Sequence, residues 1–157
     1  MTASPLILHP DSPDETARLA VVLGAALTAG DCLLLSGEIG SGKTHFARHL
    51  IQSLLPVAED IPSPTFTLVQ VYDSTRGEIW HSDLYRLTGL DEIEELGLSE
   101  AFSDAITLVE WPDRLGPLTP DHALHLHFET DPQDELKRRL TLSWTDPKWT
   151  TRIEALK

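Results

Sequence analysis

Gly37, Gly42, Lys43 and Thr44 occupy the fixed positions of the pattern GxxxxGK[ST] in the stretch Gly37-Glu38-Ile39-Gly40-Ser41-Gly42-Lys43-Thr44. Residues of these types at this spacing suit the cradling of a polyphosphate. Glycines let the backbone turn tightly and aim successive N–H groups at phosphate oxygens. The helix that follows adds the positive end of its dipole. Lys43 then reaches the outer phosphates, and the Thr44 hydroxyl takes a magnesium ion. With ordinary residue frequencies, the four fixed positions match by chance in well under about one chain in a hundred of this length.

A site of this kind also needs a carboxylate that holds the metal, directly or through water, and a group that orients the attacking water. Such acids belong at the C-terminal ends of buried strands, because ligands of α/β folds sit beyond those ends. Two acids meet that condition. Glu110 follows Ala105-Ile106-Thr107-Leu108-Val109, the most apolar run after the loop, and Asp83 follows the less apolar Glu78-Ile79-Trp80-His81-Ser82. Periodicity favours Glu110 as the magnesium-side acid and ranks Asp83 a close second. Ser63-Pro64-Thr65-Phe66-Thr67 sets hydroxyls beside a stiff proline, as in loops that sense a terminal phosphate. An ordinary polar loop has the same composition, so this stretch leaves both readings open.

The elements that must position these groups follow from spacing. Leu6-Ile7-Leu8 reads as a short strand. Ser12, Pro13 and Glu15 form a helix start with a capping box, and Leu19, Val22, Leu23, Ala26 and Leu27 continue at helical spacing up to Gly30. Cys32 to Ser36 is almost wholly apolar, as in a strand covered on both faces. Thr44 to Leu55 is helical, with Phe46, Leu50, Ile51, Leu54 and Leu55 as its stripe and Pro56 as its stop. Glu59 to Pro64 reads as loop. Phe66 to Tyr72 and Glu78 to Leu84 read as a hairpin around Ser74 to Gly77. Asp91 to Leu98 is a short helix, and Ala105 to Val109 a second buried strand. His122 to Glu129 and Arg138 to Trp144 alternate as an antiparallel pair around the polar turn Thr130 to Glu135, and the tail from Asp146 reads as a helix. Together these predict an α/β fold, a P-loop NTPase-like sandwich with a mostly parallel central sheet, to which the hairpins add antiparallel strands at one side.

Bulk properties bound the rest. The 157 residues, 41% of them hydrophobic, suit one domain spanning 1–157. The one cysteine, Cys32, lies in an apolar run and reads as a small buried residue; no internal disulfide can form and no Cys/His zinc pattern exists. His122, His125 and His127 fall in one strand without a shared face, so no metal site is expected there. Met1-Thr2-Ala3-Ser4-Pro5 has no basic or apolar leader pattern, and no apolar run reaches the ~18–20 residues that span a bilayer. A cytoplasmic protein without membrane association is expected. Lys plus Arg total 12 against 25 Asp plus Glu, a formal net charge of −13. Nucleic-acid binding depends on cations meeting phosphates, so a chain this acidic is a poor direct binder of RNA or DNA.

Five stretches occur in a particular order: Gly37 to Thr44, Ser63-Pro64-Thr65-Phe66, His81-Ser82-Asp83-Leu84-Tyr85-Arg86-Leu87, Glu95-Leu96-Gly97-Leu98, and Val109-Glu110-Trp111-Pro112-Asp113-Arg114. The set resembles the TsaE (YjeE) family, small bacterial ATPases of tRNA threonylcarbamoyladenosine biosynthesis, from roughly Ser12 to Leu126. The phosphate loop is shared with many NTPases; the Asp83–Leu87 and Val109–Pro112 stretches are more particular. The resemblance implies ATP and Mg²⁺ as ligands and the TsaB–TsaD pair as partners, with TsaD transferring threonylcarbamoyl to adenosine 37 of tRNA and the ATPase supporting repeated turnover. An acidic ATPase then touches tRNA only through its partners. Carried over by position, Gly40, Ser41, Gly42, Lys43 and Thr44 hold the phosphates, and Thr44 and Glu110 the metal. Asp83 matches an acid near the γ-phosphate, Trp111 a tryptophan beside the nucleotide, and Thr65 a switch threonine. Thr16 matches a position near adenine, and Asp113 or Arg114 one that reaches the nucleotide. His45 stands where the family usually has a Thr or Ser that touches the α-phosphate.

Rival readings are a small-molecule kinase on the same cradle, a GTPase, and a switch that binds ATP without hydrolysing it. A kinase of that kind needs cationic residues over the transferred phosphate, and no arginine-rich segment follows the core. A guanine-reading NKxD motif is impossible, since the chain has no asparagine.

Overall fold

Leu6–Leu8 forms the edge strand β1 in the computed structural model, which describes residues 3–157. Helix α1 (Pro13–Gly24) begins where Ser12 caps it: the Ser12 hydroxyl accepts the Glu15 N–H at 3.2 Å, and Pro13 sits in the first turn, where its missing N–H costs nothing. The Glu15 carboxylate reaches back to the Asp11 N–H, one residue beyond a standard capping box. The apolar run forms β2 (Cys32–Gly37) and the amphipathic stretch α2 (Lys43–Leu54). A hairpin, β3 (Val69–Ser74) and β4 (Gly77–Asp83), leads to two short helices, α3 (Leu90–Glu95) and α4 (Leu98–Asp104). Strand β5 (Ile106–Glu110), a 3₁₀ segment (Pro112–Leu118), β6 (Leu124–Thr130), β7 (Arg138–Ser143), α5 (Lys148–Arg152) and a final 3₁₀ turn (Ile153–Leu156) complete the chain.

Among the described residues the strands make one seven-stranded sheet in the order β1-β7-β6-β2-β5-β4-β3. The centre, β6-β2-β5-β4, is parallel, and β2 lies between β5 and β6. The antiparallel pairs β1–β7, β6–β7 and β3–β4 lie at both edges, which corrects the expectation of one side. Alternation sorts the side chains. Leu33, Leu35, Ile106, Leu108, Leu124, Leu126 and Phe128 pack under α1, α2 and the C-terminal Trp149, Ile153 and Leu156. Cys32, Leu34 and Val109 face the opposite layer, with Ile93, Leu98, Phe102 and Leu115. Burial pushes the Cys32 thiol up to about 12, so it offers no thiolate nucleophile at neutral pH. Among the described residues no helix is long and apolar enough to cross a membrane.

Several local expectations are corrected. Helix α1 ends at Gly24 rather than Gly30, because Ala26 and Leu27 bond back to Leu23 and Gly24 in tight turns. Gly30, at φ +93, instead donates to the Ala105 carbonyl. Strand β3 starts at Val69, not Phe66: Leu68 adopts φ 70 and its N–H bonds to Pro64, closing a turn. The helix expected at Asp91–Leu98 is α3 and stops at Glu95; Gly97 (φ +82), against the Trp80 ring, separates it from α4, which the sequence reading did not anticipate. His125 and His127 do share a face of β6, an exposed one, where His127 pairs with Ser36 at 2.8 Å.

The C-terminus is clasped to the core by one acid. Asp31, 2% exposed, pairs with Lys148 at 3.0 Å and with Arg152, and accepts the Thr28 N–H at 2.8 Å. Burial alone pushes its carboxyl up, but the bonds from Arg152, Thr28 and Lys148 outweigh that and hold it below the ordinary aspartate value. A carboxylate depressed in the folded state adds stability above its unfolded pKa of ~3.9 and loses it as pH falls through the folded value. Asp31→Asn is therefore expected to cost about 3 kcal/mol at neutral pH, the low end for breaking a buried pair. The variant should also lose less further stability than the parent when pH falls below about 4. Urea unfolding across pH checks both; parallel pH profiles would show that the clasp contributes nothing.

Candidate functional site

The turn between β2 and α2 excludes a side chain at its first position. Gly37 has φ +137, and a Cβ there would lie 2.4 Å from the Phe128 carbonyl oxygen. Gly42, at φ 108, precedes α2 and provides no capping side chain. The first N–H groups of a helix lack intrahelical acceptors, so α2 presents free donors and its positive dipole end at this turn. The Ser41 hydroxyl lies buried beneath it with no hydrogen-bond partner. These are features of an anion cradle.

Lys43, the first residue of α2, is only 5% exposed. Its ammonium group donates to the Gly37 carbonyl and stands 3.7 Å from the centre of the Trp111 ring. Burial lowers its pKa from the ordinary lysine value, while Glu110, Asp83 and Asp113 pull it partway back. Trp111 is aimed there by a left-handed backbone (φ 58), its N–H bonded to Leu35 and its ring 4.8 Å from that of Tyr85.

The acids meet this cradle through strand register. Glu110 ends β5 opposite Leu35 of β2 on one side and Asp83 of β4 on the other. Glu110 is 2% exposed, and its two oxygens accept from Thr44 Oγ1 at 2.7 Å and His81 Nε2 at 2.7 Å. Asp83 accepts from Thr65 Oγ1 at 3.1 Å and from the Tyr85 N–H at 2.9 Å, and Thr65 is paired with Ser63 at 2.8 Å. Thr44 and Glu110 offer hard oxygen donors, the kind magnesium selects.

These groups line a cavity of about 540 Å³, within the usual range for small-molecule sites. Thr16, Gly40, Gly42, Lys43, Thr44, His45, Thr65, Asp83, Glu110 and Trp111 all reach its wall. Three of the named residues do not: the Ser41 side chain is tucked under the loop, Asp113 is exposed beyond the rim, and Arg114 donates to the Tyr85 carbonyl at 3.3 Å. His45 is half-buried at the cavity wall. Its Nε2 pairs with the Pro13 carbonyl at 2.9 Å, joining the first turns of α1 and α2.

Sequence reasoning missed Pro13, Ile39, Tyr85, Leu136 and Arg138 of the wall, and His81 behind it. Arg138 donates to the Ser41 carbonyl at 2.9 Å across 97 positions of chain, a contact that no local pattern encodes. His81 was more accessible to inference: strand alternation puts it on the face of Asp83, two residues away.

Known proteins bear on this arrangement. The family model described as threonylcarbamoyl adenosine biosynthesis protein TsaE matches residues 10–140. The chain is 39% identical over 119 residues to the tRNA threonylcarbamoyladenosine biosynthesis protein TsaE of Rickettsia bellii (strain RML369-C), covering 76% of this chain and 83% of that one. It is 38% identical over 136 residues to that of Streptomyces coelicolor, covering 82% and 90%, and 34% identical over 125 residues to that of Bacillus subtilis (strain 168), covering 79% and 77%. The crystal structure of YdiB from Bacillus subtilis superposes with a TM-score of 0.77 at 25% identity, covering 99% of this chain and 96% of that one.

The steric reading of the loop predicts unequal costs for its glycines. Gly37→Ala combines positive φ with a backbone clash and is expected to destabilise by about 2–4 kcal/mol. Gly40→Ala, at φ +80 but with nothing within 4 Å of the added carbon, should cost only about 1 kcal/mol. Denaturant melts compare the two, and equal losses would contradict the assigned contact with Phe128.

Proposed function

The chain belongs to the TsaE family of threonylcarbamoyl adenosine biosynthesis proteins, and from that premise we propose that it is a Mg²⁺-dependent ATPase that supports turnover of the TsaB–TsaD threonylcarbamoyl transferase. The observation that carries this reading is the convergence of Lys43, Thr44, Asp83 and Glu110 on one cavity at the ends of β2, β4 and β5. The donor set and the glycine cradle fit a metal-bound triphosphate.

In this reading Gly40 to Thr44 hold the phosphates, and Lys43 neutralises charge on the outer ones. Thr44 and Glu110 would hold magnesium, which when bound supplies positive charge to offset that of the phosphates. Asp83, fixed at both oxygens by Thr65 and Tyr85, orients a water for attack on the γ-phosphate. Trp111 covers Lys43 and keeps bulk water from it. Thr16 and His45 also line the cavity, and the nucleoside would lie against them. The net charge of −13 supports an indirect relation to tRNA, with TsaB and TsaD making that contact in the cytoplasm.

The test is ATP hydrolysis measured alone, then with TsaB–TsaD, with and without tRNA. Slow hydrolysis that rises with the partners is expected, with ATP preferred over GTP. Lys43→Ala and Asp83→Ala should each lose about 10²–10³-fold in rate, as when a group stabilising the transition state is removed. Full activity in either variant, or transfer of phosphate to a metabolite, would overturn the assignment.

A further inference from the structure

His81 lies in β4, wholly excluded from solvent, two residues before Asp83 and on the same face of the sheet. An enclosed imidazole must place its polar atoms. Here Nδ1 has no partner, and the ring's one hydrogen bond runs from Nε2 to Glu110 Oε2 at 2.7 Å. A carboxylate accepts, so Nε2 carries the proton, and the tautomer with bare Nδ1 leaves no buried N–H unpaired. The other Glu110 oxygen receives Thr44 at 2.7 Å. Two donors from two elements therefore bind the two oxygens of one carboxylate and set the orientation of its plane.

Resting on the proposed Mg²⁺–ATP reading, we infer that His81 is the positioning residue for Glu110. It touches neither nucleotide nor metal. It holds Oε2 back within the sheet, so that Oε1 and the Thr44 hydroxyl face the cavity together. Without that donor the carboxylate can rotate, and the bond with Thr44 no longer defines one orientation. A ring serving packing alone would not need a nitrogen directed at an acid. Groups that orient a metal ligand in this way typically change metal affinity ~10–100-fold when lost.

The chemistry separates reach from polarity. In His81→Gln the amide nitrogen falls near the place of Nε2, whereas in His81→Asn it falls short, and His81→Leu has no donor. Binding of a fluorescent ATP analogue, titrated with Mg²⁺, gives a readout independent of hydrolysis. His81→Asn and His81→Leu are expected to raise the Mg²⁺ concentration for half-maximal binding ~10-fold or more, with His81→Gln close to the parent. Melting temperatures measured alongside report packing. A His81→Asn variant with parental Mg²⁺ dependence, or a His81→Gln variant as impaired as His81→Asn, overturns the inference. Ring ¹⁵N NMR of the unmodified protein tests it without any variant: His81 must carry its proton on Nε2, and a proton on Nδ1 instead overturns the inference. If the parent itself shows no Mg²⁺-dependent nucleotide binding, the functional reading fails and this inference falls with it. If the parent binds and the variants match it, only the role of His81 fails.

Discussion

A carboxylate withdrawn from water must be hydrogen-bonded, and the geometry of this protein's cavity depends on how Glu110 meets that demand. The side chain is 2% exposed at the end of a strand buried throughout its length. Its donors come from two different elements, Thr44 at the start of α2 and His81 from within β4. One ionisable group thus ties the first turn of a helix to two strands. Moving any of the three elements would leave a buried oxygen unpaired, a cost of about 1–3 kcal/mol or more for a charged group.

The parallel centre of the sheet makes this meeting possible. Parallel neighbours end at the same edge, so the C-terminal residues of β2, β4 and β5 arrive side by side, with Leu35, Glu110 and Asp83 in register. The antiparallel margins, β3 on one side and β7 and β1 on the other, extend the sheet; β7 also brings Arg138 to the Ser41 carbonyl, while the β2–β6 pairing sets Phe128 against Gly37. The loop is therefore braced from a strand distant in sequence. Lys43 places a cation amid carboxylates, and Trp111 closes over it. The same end of the molecule combines a buried cation, hard oxygen donors and free helix N–H groups, the mixture that suits a metal-bound polyphosphate.

Much of this was legible in the residues, and the reasons differ by element. The phosphate loop could be read because its chemistry is local: positive-φ glycines, a lysine and a hydroxyl must follow one another on one turn. Glu110 and Asp83 could be proposed because apolar runs mark buried strands and ligands gather at their ends. The break between α3 and α4 at Gly97 and the turn at Leu68 were not legible, since both depend on neighbours elsewhere in the fold, Trp80 for one and the end of β4 for the other.

The amino-acid sequence by itself determined the strand–loop–helix cradle, the amphipathic stripes, the acidic surface and the family, because these depend on residue type and short-range spacing. Only the tertiary structure decided that the hairpins flank the sheet on both sides, that Asp113 stays outside the cavity and that His45 turns to Pro13. The same holds for the contacts of Arg138 with the loop and of His81 with Glu110. The contacts among them are hydrogen bonds between distant segments, and a partner's position exists only once strand order and register have brought it within about 3 Å.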